Sequence, residues 1–360
     1  MRVILFELKK IFDLKRVIVV TALCAVLSFL FLEFHFRHFP NGSNIHSFQI
    51  MEQMIEEFGT ELDLDEFAIV NERFVEDLAE FDTYFLNRTD VQGTNLSSVV
   101  ELWYNQDSAV LFELDSRLAF EENNMDYWNL QVRYHFISDI ERAIEDGIFI
   151  DSQPIFDLQV FNNWVDIISW STLMLVTLMM VMILPIFVSE RKNNMFQIQY
   201  AMKLGRKLYG KKLVAVTLAS LIGTTLLIGS VVGLYLLMNQ TTTFFDNLMW
   251  GNGGGNVLRY DITFFSYILL TVGLSYVLGL IFTYLAFFIS RISPNHLTAI
   301  AIGIPLIVVF EMFLSRYVIR NILVIWSYGA LSTVYISLII VTIMTIVIQN
   351  HREKRIDILN

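Results

Sequence analysis

The stretch Ser189–Lys212, SERKNNMFQIQYAMKLGRKLYGKK, holds the densest set of groups that could do chemistry. Its Gly205-x4-Gly210-Lys211-Lys212 run is close to a phosphate-binding loop, whose backbone N–H groups cradle phosphate and whose final Ser or Thr holds magnesium. Lys212 stands where that hydroxyl must be, and an apolar run follows where a soluble helix is needed. No nucleotide site and no cofactor are therefore expected in this chain. His35 and His38 lie three apart beside Glu33, so a helix would put both rings on one face. An incidental pair accounts for them, and no metal site is assigned. Glu311 lies inside an apolar run, after Gly303 and Pro305, with Arg316 and Arg320 close in sequence. An ionisable group inside a membrane span is costly and often functional. These three residues are expected either to form a salt bridge or to line a substrate path. The apolar runs hold no Ser/His or Asp/Asp pair, so no catalytic residue is expected. Asn41, Asn87, Asn95 and Asn239 open glycosylation triplets that matter only in a secretory pathway.

The elements that must position these groups follow from composition. Of 360 residues, 55% are hydrophobic and only 17% are charged, against roughly 25% charged in a soluble domain. The net charge of −11 argues against a nucleic-acid binder. Cys24 is the single cysteine and cannot form an intrachain bridge. Runs of about 18 apolar residues are long enough to cross hydrocarbon. Six are found: 17–34, 164–188, 213–238, 264–289, 297–314 and 329–348. The reading is an all-α polytopic membrane protein with six transmembrane helices.

Six spans put both termini on one side, and the charges say which. Segments 1–16, 189–212, 290–296 and 349–360 carry 5, 7, 1 and 3 Lys or Arg. The short connections on the other side, 239–263 and 315–328, carry 1 and 2, all arginine. The positive-inside rule then places both termini in the cytoplasm. Residues 1–16 put Ile4, Leu5, Leu8, Ile11 and Phe12 on one helical face, as an interfacial amphipathic helix would. The first apolar run leaves through Phe31, Leu32, Glu33 and Phe34, with no small-residue cleavage site of a signal peptide.

The segment 35–163 lies outside on this topology. From Glu33 to Asp166 the chain holds 28 Asp or Glu against 6 Arg. Phe48, Met51, Met54, Ile55 and Phe58, then Phe67, Val70, Phe74, Leu78 and Phe81, recur at helical spacing. A helical extracytoplasmic domain of about four helices is expected. Its acidity fits a solvated surface, or else a cationic ligand. Aromatic residues near the run ends, such as Trp164, Tyr260, Tyr317 and Trp326, fit an interfacial belt.

The 189–212 stretch resembles the cytoplasmic loop of ABC-2-type permeases, the membrane subunits of ABC exporters. Glu190, Arg191 and Lys192 stand at its start, Arg206 near its middle and Gly210-Lys211 at the opening of the third run. Asn194-Met195 replaces the family's usual Gly-Thr, and Lys203 stands where a proline is common. The layout is also similar: an interfacial helix, six spans, both ends inside, and a large insert after the first span. The resemblance implies that the chain exports a substrate using ATP and Mg on an ABC ATPase subunit bound in trans, together with a second permease copy. It implies an ATPase-coupling role for Glu190, Arg191, Met195, Phe196, Tyr200, Arg206 and Lys211, with the last helices before the sixth span (315–328) external or re-entrant. Apolar Met195, Phe196, Ile198 and Tyr200 in a polar surround suit a docking helix. The basic residues would otherwise meet anionic lipid. A bacterial plasma membrane is the expected location. The alternative is a membrane receptor or scaffold whose acidic external domain binds a ligand.

Overall fold

The computed structural model describes residues 2–41, 44–104, 109–121, 125–145, 147, 152–195, 198–199, 205, 207–249, 262–320, 322 and 328–355. The chain is all-α in class, with one short antiparallel strand pair. In chain order the elements are α1 (Arg2–Ile11), α2 (Leu14–Phe31), α3 (Glu33–Arg37), α4 (Asn44–Phe58), β1 (Glu61–Asp63), α5 (Leu64–Leu86), α6 (Val99–Tyr104), α7 (Ala109–Ala119) and α8 (Met125–Glu145). Then come β2 (Ser152–Pro154), α9 (Leu158–Ile183), α10 (Pro185–Lys192), α11 (Lys207–Met238), α12 (Phe264–Ile292), α13 (His296–Val309), a π-helix (Phe310–Arg320) and α14 (Tyr328–Arg355).

Two compact units form. One comprises Met1–His38, Asn163–Gln240 and Tyr267–Asn360, and the other Phe39–Asn162 with Thr241–Ser266. Among the described residues, five helical segments are long and apolar enough to cross a membrane: Leu14–Phe31, Leu158–Lys192, Lys207–Met238, Phe264–Ile292 and Gly329–Glu353.

The fifth apolar run does not form a full-length α-helix. It is α-helical only over His296–Val309, about 21 Å at 1.5 Å per residue, shorter than the roughly 30 Å of hydrocarbon. Asn295 caps its start by accepting the Thr298 N–H at 2.9 Å, and Pro305 interrupts its hydrogen-bond ladder. The chain then continues as the π-helix, a form that is rare beyond a single turn. Two other boundaries also move. α11 starts at Lys207, before the run at Leu213, and α14 continues to Arg355, well past Ile348.

In the first unit the α9–α10 pair is the hub, because most of its side chains are buried while α2 buries none. Hydroxyls tie its interior. Trp164 Nε1 donates to Thr271 at 3.0 Å, the Thr172 and Ser275 hydroxyls meet at 2.9 Å, and Thr283 donates to Ser220 at 3.0 Å. Such bonds suit a bundle whose helices gain no hydrophobic drive from leaving lipid for one another. Phe31 stacks on Trp170 with ring centres 4.4 Å apart.

Among the described residues the second unit has five α-helices, α4 to α8, and the β1–β2 ribbon pairs Glu61–Asp63 with Ser152–Pro154. The apolar spacing read from the sequence is its core: Phe48, Met51, Met54, Phe67, Val70 and Phe74 are buried. α5 begins with a capping box in which Asp63 accepts the Glu66 N–H and Glu66 accepts the Asp63 N–H. The 241–266 segment belongs to this unit. Asn247 donates to the Ile155 carbonyl, and Phe244 packs on Phe48 with centroids 5.3 Å apart.

Candidate functional site

The residues around the 189–212 stretch build a buried charge network within the first unit. α1 presents Ile4, Leu8 and Ile11 to the core around α10 and α11, and Glu7 falls on the same face by spacing. Glu7 is thereby buried, whereas Leu5, expected on that face, is exposed. Lys10, one turn on, donates to Glu7 at 3.0 Å and to Glu190 at 2.9 Å. Lys212 donates to Glu190 and, at 3.3 Å, to Glu7. The result is a ring of two carboxylates alternating with two ammonium groups, three of them almost sealed from solvent. Burial alone would lower the Lys10 pKa, but its hydrogen bonds to the carboxylates of Glu190 and Glu7 outweigh it and raise the pKa above the ordinary lysine value.

A second set of charges adjoins the ring. Lys212 Nζ lies 5.2 Å and Arg291 Cζ 5.4 Å from the Phe187 ring centre. Arg291 pairs with Glu353, which also accepts from Gln349 at 2.8 Å. Arg191 donates to the carbonyls of Ser293 and, at 2.9 Å, Arg291. Charged or carbonyl groups of α1, α10, α11, α12 and α14 thus meet in one place.

Four of the seven residues expected to couple to an ATPase are described. Glu190 is not a solvent-facing loop residue. It is buried and pairs with Lys212 and Lys10. Arg191 is spent on the end of α12. Lys211 is exposed, and its neighbour Lys212 is the one that points inward. Met195 is exposed. Phe196, Tyr200 and Arg206 lie outside the described residues. Beside the ring a cleft of about 410 Å³ is bordered by Lys10, Asp13, Arg16, Ser189, Asn193 and Met195. Arg16 Nη1 and Glu190 Oε2 are buried there without a hydrogen-bond partner among the described residues.

Arg320 pairs with Asp166, not with Glu311. Glu311 takes a hydrogen bond from Ser315 and keeps Oε2 unpartnered among the described residues. The side chain of Arg316 lies outside them. His35 and His38 flank Phe34 with ring centres 5.9 and 5.3 Å away, and no group of three His, Cys, Asp or Glu is placed to hold a metal among the described residues.

Sequence reasoning missed Glu7, Lys10, Lys212, Arg291 and Glu353 as members of one site. A signal existed at Glu7, a charge on an otherwise apolar helix face. At Lys212, Arg291 and Glu353 none did, because a charge at the end of an apolar run reads as an exit from the membrane. Comparison with protein-family models, with characterised proteins and with solved structures finds no match to this chain.

Proposed function

We propose that this chain is the membrane subunit of an ABC-type exporter, coupled to a separate ATPase through the 189–212 connection and working with a second permease copy. The observation that carries the reading is the charge ring. It roots both ends of that connection, Glu190 and Lys212, against α1. A push on the connection would therefore move α1, α10 and α11 as one body. The adjoining cleft offers the exposed Asp13 and Met195 to a docking partner. The chain does no covalent chemistry in this scheme. It supplies two arrangements of its spans whose substrate affinities differ, and the partner's ATP cycle drives the exchange.

Six crossings, with both termini in the cytoplasm of a bacterial plasma membrane and the Phe39–Asn162 unit outside, complete the proposal. Charges near the ends of α10, α12 and α14 and the start of α11 converge on one place, as residues on one side of a membrane would. The mild-detergent pull-down of the tagged chain from native membranes tests it. A stoichiometric partner carrying a phosphate-binding loop, with ATP hydrolysis abolished when that loop's lysine is changed, is expected. A chain that purifies alone, with no ATPase after crosslinking in the membrane, overturns the proposal.

A further inference from the structure

The unit of Phe39–Asn162 and Thr241–Ser266 contains a cavity of about 580 Å³ between α5, the end of α7 and α8. That volume falls in the range of small-molecule sites, roughly 300–1,000 Å³. Three aromatic rings line it. Phe81 lies 5.8 Å from Tyr84 at 60° and 6.2 Å from Tyr127 at 44°. Four carboxylates also line it, and two of these are already used. Asp77 accepts from Arg133 and Glu121 from Arg88, each at 2.6 Å. Arg88 is further held by Asp90 at 2.8 Å and lies over the Tyr84 ring. Glu80 and Asp126 have no ion pair among the described residues.

The balance of groups decides what fits. Arg133 at the wall is matched by Asp77, and Arg88 behind it by Asp90 and Glu121, so the two free carboxylates leave the cavity net negative. An anion is repelled. A neutral apolar molecule would cover the rings but would draw Glu80 and Asp126 away from water without a counter-ion. A cation with an apolar body satisfies both, because ring faces attract cations and carboxylates pair with them. The surrounding segment, with 28 acidic residues against 6 arginines, adds a long-range field that concentrates cations at the mouth.

We propose that this cavity binds an amphipathic organic cation, such as a basic side chain of a peptide with an aromatic neighbour. Glu80 and Asp126 pair with the charge, and Phe81 and Tyr84 take the apolar body. The proposal does not rest on the transport reading. It holds equally for an exporter and for a receptor.

The test uses the full chain in phosphatidylcholine nanodiscs, which add no anionic lipid. Calorimetry measures binding of N-acetyl-phenylalanyl-arginine amide and of its neutral citrulline counterpart. Saturable one-to-one binding is expected for the arginine peptide, with the citrulline peptide about tenfold weaker or worse. Glu80→Gln with Asp126→Asn is expected to weaken binding about tenfold, and Tyr84→Ala severalfold. The control pair Glu56→Gln with Glu72→Gln removes the same charge from exposed sites outside the cavity. It is expected to change affinity less than twofold. Equal losses in control and cavity variants would mean general acidity and no site. Indifference to Tyr84→Ala, equal binding of the citrulline peptide, or no saturation into the millimolar range would each overturn the proposal. Unchanged melting temperatures confirm that the variants fold.

Discussion

Lys212 is 2% exposed and sits between two buried carboxylates. Removing one partner of a buried ion pair costs roughly 3–5 kcal/mol, because the other charge is left stranded. The ring makes this cost unequal. Lys212→Met leaves Glu7 and Glu190 to share Lys10 alone. Glu190→Gln leaves two lysines on Glu7, but Lys10 is a third exposed and can turn to water. Lys212→Met is therefore expected to destabilise the detergent-solubilised chain by roughly 3–5 kcal/mol, and Glu190→Gln by less. The double variant keeps a neutral Glu7–Lys10 pair and is expected to recover part of the Lys212→Met loss in thermal unfolding. Losses that simply add would mean that the two charges do not see each other. Little of this was legible beforehand. In the sequence Lys212 reads as a spoiled phosphate-loop position, since pairing over the separation from Glu7 leaves no mark in a linear chain.

Elements show the same division. The apolar runs gave helix existence and rough extent, because hydrocarbon length imposes itself on sequence directly. Helix ends failed where charges are buried in pairs. α14 passes Ile348 because Gln349 and Glu353 are buried against Arg291, and α11 starts before Leu213 because Lys212 is paired. The β1–β2 ribbon was invisible, since three-residue strands this far apart carry no periodicity. Close helix approach was equally hidden. A Cβ on Gly279 of α12 would lie 2.9 Å from Thr224 Oγ1 of α11 and 3.1 Å from Leu175 Cδ2 of α9. Gly273, two turns earlier on the same helix, has nothing within 4 Å. Gly279→Val is expected to cost about 1–3 kcal/mol by overpacking. Gly273→Ala is expected to be neutral or to stabilise by up to about 1 kcal/mol, since only helix propensity changes. Melting of the two variants by size-exclusion recovery reads the difference. Equal tolerance would mean that the three helices do not approach closely at Gly279.

At the scale of the whole molecule the open question is a count of crossings. Five long helices alone would leave the termini on opposite sides, while a sixth crossing by the His296–Arg320 segment returns them to the same side. The short α13 favours the first outcome by length, and the Arg291–Glu353 pair favours the second. That pair ties the last turn of α12 to the last turns of α14. If α14 spans, it starts on the far side, so the chain between Ile292 and Tyr328 has to cross. A π-helix following α13 extends the reach of that segment past Pro305. Charge agrees, since 349–360 carries three Lys or Arg and would otherwise lie outside against the positive-inside rule. A Cys24→Ser background with single cysteines at Lys9, Glu113 and His351 reads the answer by labelling intact cells with a membrane-impermeant maleimide. Glu113→Cys is expected to label at once, and Lys9→Cys and His351→Cys only after permeabilisation. Labelling of His351→Cys in intact cells with Lys9→Cys protected would establish five crossings. Arg291 and Glu353 could not then pair across the membrane, and the network that ties α14 to α12 would have to be abandoned.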